Sequence, residues 1–217
     1  MTEFTQDELD LFWEPVETRE ELHEHIRTYL KIDLPDEKVD EQSNSTALDF
    51  VWNVYAVMKT NEGPHIFTVA AARNTAKTLT ASIVRFYGMV HFRRNGTHLA
   101  ANLQQSNAAS SYLNKFLMID HVQPYITKNN NREKQLERMP ANSHTQNNEA
   151  KLLIAVATIG GVNSQRGSLN TRDELDLIPS SILSEASFIA DPTMDEHKFD
   201  PIEINLSSRK TATGPIQ

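Results

Sequence analysis

Ten residues, Val69-Ala70-Ala71-Ala72-Arg73-Asn74-Thr75-Ala76-Lys77-Thr78, carry the chain from a strand-forming run into a helical pattern, and this junction constrains the fold more than any other segment. Ile66-Phe67-Thr68-Val69-Ala70 is a short apolar run after the breakers Gly63-Pro64, as expected of a buried strand. Leu79, Ile83, Phe86 and Tyr87 then recur at helical spacing. A strand, a loop and a helix follow in that order, so the free N–H groups and positive dipole end of the helix lie beneath the loop, where an anion can be held. The usual phosphate-binding loop at such a junction reads G-x-x-x-x-G-K-[ST], in which backbone N–H groups cradle phosphates, the lysine reaches the β and γ phosphates and the hydroxyl binds Mg²⁺, and this segment departs from the strict motif. Both glycine positions hold alanine here, Ala71 and Ala76. Positive φ and close backbone approach are cheap only for glycine, whereas alanine keeps its N–H, so such a site binds more weakly without being abolished. An ordinary helix start is the other reading of these ten residues, and the rest of the chain has to decide.

Two later segments bear on that decision. Asp173-Glu174 follows Arg166-Gly167-Ser168-Leu169-Asn170-Thr171-Arg172. At the end of a strand beside the loop strand, Asp173 would hold the shell of a Mg²⁺ ion and Glu174 would polarise an attacking water. A solvated turn opening the segment 175–183 is the plainer reading, and Asn170, Thr171 and Arg172 are more polar than a buried central strand requires. Ile202-Glu203-Ile204-Asn205-Leu206 alternates as a strand and ends in Ser207-Ser208-Arg209-Lys210-Thr211. Groups at the carboxyl end of a parallel strand point into the crevice where open α/β sheets bind ligands.

Taken in this order, the motifs resemble those of the large terminase subunit of tailed bacteriophages, the ATPase that packages DNA into capsids. The resemblance is carried by Ala72-Arg73-Asn74-Thr75-Ala76-Lys77-Thr78, with an arginine inside the loop, by Arg166-Gly167 ahead of Asp173-Glu174-Leu175-Asp176, and by Ser207-Ser208-Arg209-Lys210-Thr211. The entry region, Asp33-Leu34-Pro35 and then Asn44-Ser45-Thr46 leading to Phe50-Val51-Trp52-Asn53-Val54-Tyr55, is similar too, and the likeness runs from about Leu30 to Gln217. It implies an α/β fold, a P-loop NTPase of the additional-strand type with a central, mostly parallel sheet flanked by helices and an N-terminal helical segment. Residues 1–45 are then that segment with its linker, and residues 46–217 the ATPase core.

The resemblance also implies roles. Residues Ala72, Arg73, Asn74, Thr75, Ala76, Lys77 and Thr78 would hold ATP, with Arg73 at the γ-phosphate. Thr78 and Asp173 would hold Mg²⁺, Glu174 would orient water, and Ser207 and Ser208 would couple hydrolysis to movement. Partners would be double-stranded DNA, the portal protein and the small terminase subunit, with a homo-oligomeric ring assembled in the cytoplasm of the infected host cell. The family usually carries a C-terminal nuclease domain of RNase H type, which this sequence lacks, so the resemblance implies either a truncated chain or a subunit completed by a separate nuclease-bearing polypeptide. A helicase of the related P-loop branch, using the same Lys77, Asp173 and Glu174, and a docking subunit that keeps the fold without turnover are the alternatives.

Composition excludes other classes. At 217 residues and 39% hydrophobic, the chain can bury one substantial core. It has no cysteine, so disulfides and thiolate chemistry are excluded. No apolar run approaches a membrane span, and the acidic start Met1-Thr2-Glu3-Phe4-Thr5-Gln6-Asp7-Glu8 is unlike a signal peptide. A net charge of −8 argues against a nonspecific DNA coat, since polyanion binding is driven by cations. A motor can still confine cations to one lining, for which Arg93-Arg94 and the Lys128 to Arg138 segment, with Arg132 and Lys134, are the candidates beside ordinary surface charge. The histidines lack metal-ligand spacing, and there is no G-x-S-x-G elbow for a serine hydrolase.

The remaining elements are read from caps and periodicity. Thr18-Arg19-Glu20-Glu21 is a capping box opening a helix with Leu22, Ile26, Tyr29 and Leu30 on one face. Residues 35–45 are a polar linker, after which Thr46 caps a helix with an apolar stripe of Leu48, Val51, Trp52, Tyr55 and Met58, read as core packing rather than an adenine platform. Gly96 to Leu103 reads as a strand leading into a helix bearing Ala108, Tyr112, Leu113 and Phe116. Residues 128–149 read as a polar surface excursion, and Leu152 to Ala157 as a buried strand. The turn Gly160 to Gly167 would bring Arg166 toward a nucleotide as an arginine finger, or leave it on the surface.

Overall fold

Local capping sets the helices. The structure, a computed structural model, describes residues 5–38, 41, 43–71, 76–137, 149–158, 162, 167–186 and 200–208. Helix α1 (Gln6–Trp13) is followed by α2 (Arg19–His25), where Thr18 Oγ1 accepts from the Glu21 N–H and the Glu21 carboxylate accepts from the Thr18 N–H. Helix α2 runs on into one wider π-type turn, Ile26–Leu30, and stops at Lys31, whose φ of 57° is left-handed. Helix α3 (Ala47–Thr60) has the same reciprocal cap between Thr46 and Asp49 and ends at the left-handed Asn61. Arg19 joins these starts by donating to Asp49, 2.8 Å away, and to Asp36.

The strands are β1 (Ile66–Ala71), β2 (Gly96–Ala100), β3 (Ile126–Asn129), β4 (Glu133–Glu137), β5 (Glu149–Val156), β6 (Leu169–Asp173) and β7 (Ile202–Ser208). Helices α4 (Lys77–Val90) and α5 (Leu103–Leu117) follow β1 and β2, and a short α6 (Ser180–Ala186) follows β6. Among the described residues the sheet order is β1-β7-β6-β2-β5-β4-β3. The first five are mutually parallel, and β4 and β3 extend the sheet as an antiparallel hairpin. The last described strand is thus inserted between the loop strand β1 and the strand ending in Asp173. This is the additional-strand arrangement, and it brings β1, β6 and β7 side by side.

Most buried side chains lie on one face of the sheet, where α1 to α5 contribute Phe12, Leu22, Ile26, Leu48, Val54, Ile83, Phe86, Leu113 and Phe116 to one apolar cluster with Ile154, Leu169, Ile204 and Leu206. The opposite face carries a smaller cluster of Leu99, Val162 and Ala186. Trp52 stacks against Tyr55, as core packing requires.

Three expectations need correction. Strand β1 is an edge among the described residues, not a buried strand: Phe67 and Val69 pack against the core while Ile66 is 64% exposed. The polar stretch after residue 128 contains β3 and β4. Its pattern misleads because one strand face is wet and because the buried cation on the other, Lys134, is satisfied by neutral acceptors, Asn114 Oδ1 and the Asn130 carbonyl, each 2.5 Å away. Residues 138–148, Arg138 among them, lie outside the described residues. The polar strand β6 is central after all, because its polar groups are paired sideways. Thr97 donates to Asn170 (2.7 Å), Asn170 donates to the Gly167 carbonyl, and Arg172 makes a two-pronged pair with Glu203 at 2.9 and 3.0 Å.

Candidate functional site

Lys77 is the first residue of α4 and sits just beyond the carboxyl end of β1, while Asp173 and Ser208 are the last residues of β6 and β7. Because these three strands are parallel and adjacent, chain direction alone delivers all three residues to one rim of the sheet. The helix supplies the order within the site: consecutive residues Lys77 and Thr78 leave the first turn about 100° apart, so one can serve β7 and the other β6.

Lys77 is 9% exposed, and its ammonium donates to Ser208 Oγ at 3.2 Å and to the Ala71 carbonyl at 3.4 Å. Thr78 Oγ1 donates to Asp173 Oδ2 at 2.9 Å. Burial pushes the Asp173 carboxyl above the usual carboxylate range, the Thr78 hydrogen bond and the Arg85 charge pull it back, and Glu174 adds to the rise. Glu174 occupies the left-handed region (φ 55°, ψ 54°), and its carboxylate accepts from Ser208 twice, from Oγ at 2.5 Å and from the backbone N–H at 3.1 Å. Ser207, one residue earlier and so on the other face of β7, donates to Asp176.

The loop's last residue, Ala76, has φ 57° and ψ 22° and no side chain capping the helix. The backbone there takes the conformation for which glycine is usual, and alanine adopts it at a cost of about 1 kcal/mol. Ala72, Arg73, Asn74 and Thr75 lie outside the described residues, as does Arg166. The structure therefore brings together Lys77, Thr78, Asp173, Glu174 and Ser208, with Ser207 on the reverse side of the same strand end.

Besides Asp176, which the sequence offers only as part of the segment after Asp173, two residues shape the site that the sequence does not single out: Arg85 and His98. Arg85 is fully buried on α4, and its guanidinium meets Ser82 Oγ at 2.9 Å and His98 Nδ1. Burial lowers its pKa to about 10, and the charge of Asp173 opposes the fall. The signal for Arg85 in the sequence is a spacing: Thr78, Ser82 and Arg85 recur at intervals of four and three, which puts them on one side of α4 as a polar stripe leading down from the site.

The proposed cation lining changes. Arg94 is 1% exposed and donates to the Asp200 and Met58 carbonyls, Arg93 lies 5.5 Å above the Trp13 ring, and Lys134 is buried. Arg94 and Lys134 therefore offer no charge to a polyanion, and Arg132 is the exposed member of the described candidates beside Lys128.

Two oxygen donors, a hydroxyl and a carboxylate in direct contact, fit a hard cation such as Mg²⁺ that takes its remaining ligands from water and phosphate. No cluster of three or more His, Cys, Asp or Glu side chains able to hold a metal occurs among the described residues, so a closed all-protein metal site is not on offer there. No helix among the described residues is long and apolar enough to cross a membrane.

No protein-family model matches the chain, and no curated protein matches it. Solved structures do. A point mutant of the large terminase ATPase domain from Thermus phage P74-26 superposes with a TM-score of 0.53 at 17% identity, over 72% of this chain and 65% of that one. The large terminase of a second, thermophilic bacteriophage gives 0.50 at 9% identity, over 73% of this chain and 38% of that one. The chain thus spans less than two thirds of the length of either. At such identities the likeness is one of architecture alone, and together with the strand order it gives the result: a mostly parallel central sheet flanked by helices, an additional-strand, P-loop NTPase-like fold similar to that of phage large terminase ATPase domains.

Proposed function

We propose that the chain is an ATP-hydrolysing motor domain of the terminase type, coupling nucleotide turnover to movement of double-stranded DNA into a capsid. One observation carries this reading: an ammonium, a hydroxyl and two carboxylates, drawn from segments about a hundred residues apart, meet at the carboxyl rim of three adjacent parallel strands. Lys77 binds the β and γ phosphates in exchange for its contact with Ser208. Thr78 and Asp173 hold Mg²⁺, which supplies neutralisation of charge on the transferred phosphoryl group. Glu174 orients the attacking water and takes up its proton as the bond from water oxygen to the γ-phosphorus forms and the bond from that phosphorus to the bridging oxygen breaks, releasing ADP and phosphate. Arg73 and Arg166 are assigned to the γ-phosphate, and Ser207 and Ser208 to coupling. On this reading the working form is a homo-oligomeric ring on a portal, served by a small terminase subunit.

Phosphate release by the wild type and by Lys77→Ala tests the ATPase, with binding of a nonhydrolysable ATP analogue measured alongside. Release above background that Lys77→Ala abolishes supports it. Equal background rates with no binding of the analogue would leave an inert scaffold. One-way packaging in the presence of capsid and portal, without unwinding of a tailed duplex, separates the terminase from a helicase.

A further inference from the structure

A buried guanidinium is costly unless a carboxylate pairs with it, yet the partners of Arg85 among the described residues are neutral: Ser82 Oγ at 2.9 Å and His98 Nδ1. His98 accepts through Nδ1 and is held neutral by burial and by Arg85 itself, so it brings no negative charge. Arg85 Nε, His98 Nε2 and Thr171 Oγ1 are buried without a hydrogen-bond partner among the described residues. His98 and Thr171 stand side by side on β2 and β6, so this polar patch lies under α4. An apolar side chain of similar length would fill the place at less cost. Packing alone therefore does not account for a cation there. The acid whose charge answers it is Asp173. Helix side chains lean toward the N-terminus, so Arg85 reaches back to Ser82, Ser82 Oγ donates to the Thr78 carbonyl at 2.6 Å, and Thr78 Oγ1 donates to Asp173 at 2.9 Å. Arg85 thus stands beneath the pair to which the nucleotide reading gives Mg²⁺, and the inference rests on that reading.

We propose that Arg85 is a positioning residue that balances the charge of Asp173 from below, so that Mg²⁺ is held only in company with phosphate and not on its own. The argument is one of charge. Asp173 carries one negative charge and Thr78 none, and Arg85 opposes that charge from a buried position where water screens little. Mg²⁺ gives up its water reluctantly, and a hydroxyl with a carboxylate already balanced by a guanidinium offers it little in exchange. Phosphate oxygens change the sum, because they bring both further ligands and the missing negative charge. Removing the guanidinium should therefore let a divalent ion settle on Thr78 and Asp173 without nucleotide. Keeping it empties the metal position together with the product, which leaves Thr78 and Asp173 bonded to each other for the next nucleotide.

The test is binding of Mn²⁺, a paramagnetic stand-in for Mg²⁺, read by electron paramagnetic resonance at about pH 8, where carboxylates are ionised. Wild type, Arg85→Lys and Arg85→Met are titrated without nucleotide and again with a nonhydrolysable ATP analogue, after circular dichroism has shown each to be folded. Arg85→Gln replaces the methionine variant if that one does not fold. Without nucleotide, Arg85→Met is expected to bind Mn²⁺ about ten- to a hundredfold more tightly than the wild type, and Arg85→Lys, which keeps the charge, to match the wild type. Adding Asp173→Asn to Arg85→Met is expected to abolish the gain. A gain that survives this change places the ion elsewhere and overturns the inference. Equal nucleotide-free affinities in wild type and Arg85→Met, with the wild type still taking up Mn²⁺ together with analogue, overturn the inference alone and leave Arg85 a structural residue. Failure of the wild type to bind the analogue overturns the nucleotide reading and this inference together.

Discussion

Ala76 sits in the left-handed region at the foot of α4, where its β-carbon costs about 1 kcal/mol relative to glycine. Ala76→Gly removes that cost without touching a contact, so chemical denaturation is expected to show a gain of about 1 kcal/mol. The same change tightens nucleotide binding if the loop must flex to admit phosphate, and calorimetric titration with the analogue reads this directly. Asp173 faces the opposite demand. It is 2% exposed, and burial works against its charge while Thr78 and Arg85 support it. Asp173→Asn keeps the shape and the Thr78 contact but removes the charge a Mg²⁺ ion needs. Analogue binding is expected to weaken about ten- to a hundredfold in the presence of Mg²⁺ and to be nearly unchanged in its absence. Equal weakening in both buffers would assign Asp173 to packing alone.

Among the elements, β6 and its neighbours show which part of the molecule the sequence made legible. Lys77, Thr78, Asp173 and Glu174 lie at or beside element ends, and element ends carry local signals such as a loop pattern or an acidic pair after a strand. The helix starts at Thr18 and Thr46 were readable for the same reason. The polar strand β6 was doubtful because its partners, Thr97 and Glu203, stand on strands 73 and 31 residues away, and no local pattern records a sideways hydrogen bond. The pairings of Arg85 with His98 and of Ser207 with Asp176 leave no local signal for the same reason. The hairpin of β3 and β4 was lost because an outer strand needs only one dry face. Gly96 is where β2 presses against β6: a β-carbon there would lie 2.8 Å from the Leu169 carbonyl oxygen and 3.1 Å from Leu152 Cδ1. That oxygen belongs to a paired backbone that cannot retreat without breaking the parallel ladder. Gly96→Ala is therefore expected to destabilise by about 1–3 kcal/mol, as overpacking of a filled core does, and urea denaturation measures it.

At the scale of the whole molecule, the N-terminal segment is fastened to the far end of α4, the helix whose other end bears Lys77. The Phe12 carbonyl meets His25 Nε2 at 3.2 Å and His91 Nε2 at 3.1 Å, so each ring donates there and keeps Nδ1 as an acceptor. Tyr87 then donates to His25 Nδ1 at 2.8 Å, Tyr55 donates to His91 Nδ1 at 2.7 Å, and the Val16 N–H donates to the Tyr55 oxygen at 2.8 Å. The network closes only with both imidazoles neutral, because a protonated ring turns Nδ1 into a donor facing a hydroxyl that must then reverse. Burial drives His25 down to about 4, with the Phe12 carbonyl opposing and His121 adding to the fall. Burial also holds His91 well below its ordinary value, helped by His25 and Arg93 and opposed by the Phe12 carbonyl. The folded values lie below the unfolded value near 6.5, so the unfolded chain binds more protons below that pH. Stability from these two residues is complete above about pH 6.5 and is lost as pH falls toward 4, with a slope on the order of 1 kcal/mol per pH unit for each histidine. His98 is buried neutral elsewhere in the core and adds to the same slope, so the assignment needs a local variant. His91→Gln can still donate to the Phe12 carbonyl but does not titrate. Denaturation midpoints between pH 7 and 4.5 are expected to fall less steeply for His91→Gln than for the wild type. The change in Trp13 fluorescence, which reports the docked segment through its contact with Tyr125, is expected to begin at a lower pH than in the wild type. Parallel pH profiles for the two proteins would remove His91 from the latch.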